Sequence, residues 1–562
     1  MSRRQFLFPV AASACLALIL GGCAADNGEY LTDTETPTLD LTTERDLSSY
    51  RGQKVAWEEC DSSWLIEAEG FSTAFSESLV ECASVLVPAT YLGSQEIPDF
   101  SIALMRLSPQ DAEATGAIFI NPGGPGGSGI EQVQYSEFPA ALRDHYAFIG
   151  FDPRGVGHSD FADGSEIKCS TELDFISYFG ESTPADEAEY LASIEESDQY
   201  YLDCADNNPY WWTLSTDHVV RDLDLVRDLV TPGEPLNFIG SSYGTTIAGR
   251  YVSEFPDTVG KIVFDSPTTV DTDRIQSALD DWEASERKLR GWLEGYADYA
   301  DISFDNAVDT LLYYRQQGDD DRLTGYAGFE DSAVDPGYAQ SSEALLTNGI
   351  FALNYWPEDM AQEYFNSSMD DLVNYNWVGT LEWFAFALDG YDPDSLDGAT
   401  LEDKDIIRSN EYEVRVIVNS MDYDSPELTE AEQRELSERF KEVAPIWSAL
   451  YSDASGYEYF GPSLGISWNS LAREDESIPT PPTTPFIPSN PSGAQLLIVG
   501  SINESVTPYS FAQDTAKLLG SPLISVESDV HAPAAGYDNE CLNNVLAAYF
   551  LTDDVVGDTT CE

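Results

Sequence analysis

The pentapeptide Gly240-Ser241-Ser242-Tyr243-Gly244 fits the pattern G-x-S-x-G, between the apolar run LNFIG (236–240) and the helical pattern GTTIAGRYVSEF (244–255). A serine at the centre of such a strand-to-helix turn sits on a strained backbone with its hydroxyl exposed, the setting of an acyl-transfer nucleophile. The flanking glycines relieve crowding that side chains would cause there. Five residues alone would equally fit a small-residue turn with no chemistry, so the partners decide. That motif takes them in the chain order Ser, acid, His. Of the four histidines, His145, His158, His218 and His531, only His531 follows Ser242. It stands in SDVHAP, just beyond the apolar run PLISVES (522–528), and is the candidate base. Between Ser477 and Gln513 the one carboxylate is Glu504, in GSINESVTP after AQLLIVG (494–500). It is the candidate acid, which would orient the imidazole through Nδ1–H and stabilise the imidazolium. Asp265, ending the run KIVFD, is the reserve.

Negative charge developing on a substrate carbonyl needs backbone N–H donors. One would come from Tyr243, directly after the nucleophile. The other would come from Gly124 in NPGGPGGSG (121–129), which follows the apolar run GAIFI. As a phosphate loop this stretch lacks the Lys-Ser/Thr ending, and it matches no dinucleotide fingerprint, so no cofactor is expected. In FDPRGVGHSD (151–160), Asp152 and Arg154 read as structural.

Short apolar strands alternate with amphipathic helices up to Asp265, as in TDHVVRDLDLVRDLV (216–230), and again after Gln495, which indicates an α/β protein with a mostly parallel sheet. Between these halves the period is helical, clearest in TDRIQSALDDWEASERKLRGWLEGY (272–296) and TEAEQRELSERFKEVAPIWSALY (429–451). Six prolines from Pro479 to Pro491 form a stiff connector. Two tandem domains would orphan the last strands. The expected organisation is therefore one α/β domain over 51–270 and 485–562, interrupted by a helical cap and Pro-rich connector over 271–484.

The stretches NPGGPGGSG, FDPRGVGHSD, GSSYGT and VGSINESVTPYSFA, with SDVHAP and the cysteines after it, resemble the secreted tripeptidyl aminopeptidases of actinobacteria. These are relatives of proline iminopeptidase within the α/β-hydrolase fold. The resemblance covers most of 55–270 and 485–562 and only loosely the insertion. It implies an α/β-hydrolase sheet with a large helical cap, a nucleophile at Ser242, a base at His531, the glycine loop at Gly123–Gly126 and a cysteine pair at Cys541 and Cys561. The family acid is usually Asp in a G-D-P-x-T-P setting. Here that place holds Asn503-Glu504-Ser505-Val506-Thr507-Pro508. The implied activity is release of a residue or short peptide from peptide substrates with a free N-terminus, outside the cytoplasm.

Composition narrows the setting. With 27 Lys and Arg against 100 Asp and Glu, the formal charge is −73, which repels nucleic acid and anionic lipid. The plain reading is a heavily solvated surface. The N-terminus MSRRQFLFPVAASACLALILGGCAAD has a basic head, a short apolar run and Leu20-Gly21-Gly22-Cys23. Residues 1–23 read as a signal peptide with a lipobox, Cys23 being lipidated, and export by the general or the twin-arginine route are both open. Membrane contact is expected only through that anchor. Residues 24–50, rich in Thr, Asp and Glu, read as a disordered tether. Apart from Cys15 and Cys23, six cysteines remain: Cys60, Cys82, Cys169, Cys204, Cys541 and Cys561. No C-x-x-C spacing occurs, so a metal site is not expected and disulfides are. Pairing of sequence neighbours is the simplest of the connectivities six cysteines allow.

Together these observations lead to an extracytoplasmic serine exopeptidase. An acid in the cap, such as Glu358 or Asp359 of NYWPEDM, would neutralise the substrate's α-amino group. An esterase or amidase with the same Ser-His-Glu triad is the alternative enzyme. An inactive hydrolase-fold binding lipoprotein is the alternative of another class.

Overall fold

A computed structural model describes residues 44–65, 80–93, 97–110, 113–165, 210–270, 274–319, 358–374, 430–450, 486–536, 539–552 and 554–562, with short pieces at 167, 204, 207–208, 346–347, 349–351, 353–355, 413–415, 417–419 and 421–422. Nine strands form one sheet: β1 (Val80–Val87), β2 (Phe100–Leu107), β3 (Gly116–Asn121), β4 (Tyr146–Phe151), β5 (Leu236–Ser241), β6 (Val259–Asp265), β7 (Leu496–Ser501), β8 (Leu523–Val526) and β9 (Thr559–Cys561). Their order is β1-β2-β4-β3-β5-β6-β7-β8-β9. β1 with β2 and β2 with β4 are antiparallel; every later pair is parallel.

Strand side chains alternate between faces, so a sheet covered on both sides reads as continuous apolar runs. Phe119, Phe238, Phe264 and Ile498 enter one buried cluster with the helices Thr216–Val230 and Gly244–Glu254. Their neighbours Ile118, Ile120, Ile239, Val263, Leu497 and Val499 enter the other, with Ile130, Val133, Leu542 and Leu546. The helix Gly129–Tyr135 was not apparent from periodicity. It is fixed instead by Asp152, which accepts from Ser128 Oγ (2.6 Å), Ile130 N and His158 N. Arg154 is fully buried and donates to both oxygens of Asp222 (2.6 and 2.7 Å) and to the carbonyls of Ala89, Thr213 and Pro88. Both residues of FDPRGVGHSD are thus occupied in holding loops to the sheet.

Between β6 and β7 the helices Arg274–Ala300, Phe304–Asp319, Glu358–Val373, Glu430–Val443 and Pro445–Leu450 surround an apolar cluster that includes Leu289, Trp292, Leu293, Leu311, Phe365 and Trp447. The expected continuous helix over 429–451 is broken. It ends at Val443 and restarts at Pro445, which has no N–H to donate and disfavours helical backbone at the residue before it. β1 starts at Val80 and stops at Val87, ahead of Pro88, which has no N–H to donate to a ladder.

Residues 44–50, expected in the tether, are ordered. Arg45 N donates to Tyr91 O, and the buried Tyr50 donates its hydroxyl to Asp99 (2.8 Å). One aromatic ring with a hydroxyl partner is enough to dock this polar segment. The signal peptide, Cys23 and the rest of the tether lie outside the described residues. Disulfides join Cys60 to Cys82 and Cys541 to Cys561. Cys204 is also disulfide-bonded, and Cys169 lies outside the described residues. Among the described residues no helix is long and apolar enough to cross a membrane.

Asp222→Ala would leave the Arg154 guanidinium buried without its counter-charge. The variant should lose about 3–5 kcal/mol in urea unfolding. A loss below about 1 kcal/mol, the worth of an exposed pair, would refute this account of Arg154.

Candidate active site

Ser242 leaves β5 with φ +54, and the helix beginning at Gly244 takes over two residues later. A non-glycine residue held there costs roughly 1–3 kcal/mol, so the surroundings must enforce it. Ser242 N donates to Asp265 O (2.9 Å), while Ser242 O accepts from Thr245 N and Thr245 Oγ1. The flanking glycines are required by space: a Cβ on Gly240 would lie 2.3 Å from Gly244 O, and one on Gly244 2.7 Å from Asn121 O. Ser241 is buried with its hydroxyl on Asp265, whereas Ser242 is half-buried.

The glycine loop after β3 closes on this turn. A Cβ on Gly123 would fall 2.8 Å from Tyr243 N and 2.9 Å from Ser242 Cβ. Gly123 N is already committed to Asn121 Oδ1 (3.0 Å). The next amide of the loop is that of Gly124, which has φ +103. Tyr243 N–H lies at the N-terminus of the helix Gly244–Glu254, where the dipole favours negative charge. The Tyr243 hydroxyl meets Thr216 Oγ1, which also donates to the cap residue Asp422.

His531 and Glu504 come from loops after β8 and β7. His531 Nδ1 lies 2.7 Å from Glu504 Oε1. Glu504 is buried, and its carboxylate also accepts from Thr507 N (3.0 Å), Thr507 Oγ1 (2.6 Å) and Ser266 Oγ. A carboxylate has only acceptors to offer, so Nδ1 carries the proton and Nε2 keeps its lone pair for a substrate-side proton. Asp265, the reserve acid, is used otherwise: its oxygens accept from Ser241 Oγ and Ala534 N, each at 3.0 Å. Burial pushes the Asp265 carboxyl up to about 7 against those two donors. His218 is half-buried with its Nδ1 beside Ser215 Oγ, and His158 stacks on Trp64 at 4.6 Å.

The cap reaches the loops that carry Glu504 and His531. Tyr355 sets its ring edge-on to His531 with centroids 5.7 Å apart, and Asn354 Oδ1 accepts from Ser505 Oγ (2.6 Å). Lys288 Nζ donates to Asn354 O (3.2 Å) and pairs with Asp529 (3.4 Å), two residues before His531. Glu358, half-buried at the start of its helix, faces Lys288 and Asp529. Burial and the Asp529 charge push its carboxyl up to about 7, with Lys288 opposing. Asp359 is exposed, its carboxylate accepting from Met360 N. The two acids proposed from NYWPEDM are thus separated: Glu358 belongs to this cluster and Asp359 faces solvent.

Ser266, Thr507, Lys288, Tyr355 and Asp529 escaped the sequence reading. Only Thr507 and Asp529 carried a signal, by standing within three residues of Glu504 and His531. Among the described residues no group of three His, Cys, Asp or Glu side chains could hold a metal ion.

Residues 116–367 match the sequence profile of the α/β-hydrolase fold, and residues 467–561 match that of the TAP-like proteins. The serine protease Hip1 of Mycobacterium tuberculosis is 26% identical over 98% of this chain and 97% of its own. Carboxylesterase B of the same species is 26% identical over 95% and 94%. The tripeptidyl aminopeptidase of Streptomyces lividans is 31% identical over 43% of this chain and 44% of its own. With the sheet order, the two profiles and these relatives in agreement, the chain has the α/β-hydrolase fold with a TAP-like C-terminal segment and is a serine hydrolase, related to serine peptidases.

Proposed function

We propose that this protein is an extracytoplasmic serine exopeptidase that cuts peptides near a free N-terminus through an acyl-enzyme. The observation carrying the reading is the 2.7 Å contact between His531 Nδ1 and Glu504 Oε1, in the chain order that follows a strained Ser242. Ser242 Oγ attacks the scissile carbonyl carbon and His531 Nε2 takes its proton. The oxyanion is held by the N–H groups of Tyr243 and Gly124. His531 then passes the proton to the leaving amine, and water, activated by the same nitrogen, releases the acyl group. Glu504 orients the imidazole throughout. Each oxyanion donor is worth about 10²–10³ in rate.

The preference for a free amine is supported by Glu358 and Asp529, two carboxyl groups beside the His531 loop with a single lysine between them. An α-ammonium group would supply the missing positive charge, and the cap would limit access to chain ends. The esterase reading has one specific support, the relative named carboxylesterase B. The export reading belongs to the same proposal. Residues 1–23 direct secretion and Cys23 takes the lipid, and the disulfides Cys60–Cys82 and Cys541–Cys561 suit an oxidising compartment.

Wild type should be labelled by a fluorophosphonate probe, whereas Ser242→Ala and Gly123→Ala should not, the second because its Cβ collides with Tyr243 N. An unlabelled, folded wild type would favour a binding protein instead. Mass spectrometry of products from a mixed peptide library should show pieces cut from free N-termini. Turnover of p-nitrophenyl esters alone, with blocked and free peptides both inert, would transfer the chain to the esterases. Glu358 is neutral below about pH 7 and ionised above it, while an α-amine loses its charge above about pH 8. KM for free-amine peptides should therefore fall as pH rises from 6 to about 7.5. Glu358→Gln should raise that KM about tenfold, with kcat nearly unchanged, and flatten the pH dependence. An unaltered KM removes Glu358 from substrate binding. Cys23→Ser should shift the protein from the membrane fraction to the soluble one, and no shift would refute the anchor.

A further inference from the structure

We infer that Asp265 and Ser266, at the C-terminal end of β6, are positioning residues that clamp the nucleophile, acid and base loops to one another. The inference rests on the triad reading above and adds two residues that touch no substrate in it. β6 lies between β5, which delivers Ser242, and β7, which delivers Glu504. Its last residue and the one after it therefore stand at the middle of the site.

Three sets of bonds converge on this dipeptide. On the nucleophile side, Asp265 O accepts from Ser242 N (2.9 Å) and Asp265 Oδ2 from Ser241 Oγ (3.0 Å). On the acid side, Ser266 Oγ donates to Glu504 Oε2, Ser266 O accepts from Thr507 Oγ1 (3.1 Å), and Ser266 N donates to Val499 O of β7 (2.9 Å). On the base side, Ser266 Oγ accepts from Ala532 N and Asp265 Oδ1 from Ala534 N, both at 3.0 Å. His531 is thus followed at once by an amide tied to the same hydroxyl that holds its carboxylate partner. Ser266 and Ala532 both adopt left-handed backbone, φ +52 and +57. Such conformations persist only where the surroundings over-determine them. Both residues are pinned by the bond between them.

The clamp also carries a charge. Asp265 is buried, and both of its oxygens accept, which is the pattern of the ionised form. Burial raises its pKa against the donors Ala534 N and Ser241 Oγ and the facing His531, and the Glu504 charge adds to the rise. With the carboxyl titrating near 7, acidification through that range protonates it and removes the charge from the clamp. The acid limb of kcat should then include the ionisation of Asp265.

Full-length Asp265→Asn and Ser266→Ala test this against wild type. In Asp265→Asn the amide can accept from Ala534 N and donate to Ser241 Oγ, bonding as the protonated acid does at every pH. Its kcat above about pH 7 should fall, and its acid limb should lose the Asp265 ionisation. Ser266→Ala loses the donor to Glu504 and the acceptor for Ala532 N. Its kcat and fluorophosphonate labelling rate should drop about 10- to 100-fold, with KM within about twofold and the Asp265 ionisation kept. Thermal midpoints are measured alongside, and if one variant does not fold the other decides. An unchanged acid limb in Asp265→Asn, or a Ser266→Ala enzyme with wild-type kcat per folded molecule, would each overturn the clamp. Failure of the triad reading is seen separately, as activity retained by Ser242→Ala.

Discussion

A buried carboxylate must be surrounded by donors, and Glu504 is the buried carboxylate around which this site is arranged. Its two oxygens are occupied by His531 Nδ1, Thr507 N, Thr507 Oγ1 and Ser266 Oγ. These donors belong to three segments: the loop after β8, the turn holding Glu504 itself, and the end of β6. Removing the negative charge would leave donors from all three without a partner in a water-poor setting, where each orphan is costly. Electrostatic satisfaction and loop placement are thus one constraint. It also accounts for a glutamate where the resembling family usually has aspartate. The longer side chain still brings Oε1 to the imidazole, where Thr507 also donates, and Ser266 Oγ holds Oε2.

A second constraint is steric and concerns close approach of backbones. Gly123, Gly240 and Gly244 have no room for a Cβ, because β3, β5 and the glycine loop come together at the Ser242 turn. That crowding accompanies the positive φ of Ser242 and sets Gly123 of the loop against Tyr243 N and Ser242 Cβ. The cap is tied to this centre by polar contacts. Asn354 reaches Ser505, Tyr355 lies against His531, Asp422 reaches Thr216, and Lys288 joins Asp529. A helical unit with its own apolar cluster is therefore attached where it can shape access to the serine.

Much of the fold was legible because a sheet buried on both faces shows as continuous apolar runs, and every strand from β2 to β8 stood in such a run. The misses have local causes. β9 has only three residues, too few for a pattern, and its place is set by pairing with β8 and the disulfide to Cys541. The helix Gly129–Tyr135 depends on Asp152, a residue distant in sequence. The break at Ala444 was written in Pro445 but hidden by helical periodicity on either side.

By itself the sequence determined which residue types stand in which chain order: a serine between glycines, then one carboxylate and one histidine in the places left for them. Chain order is local information, carried by spacing and by flanking apolar runs. Only the tertiary structure decided that Glu504 rather than Asp265 faces His531. Both acids end neighbouring strands, and what separates them is the direction in which their oxygens find donors. The tertiary structure also decided that Glu358 joins Lys288 and Asp529 while Asp359 faces water. In a chain with 100 acidic residues, composition cannot single out one of them. Burial and partners can, because charge is expensive only where water has been removed.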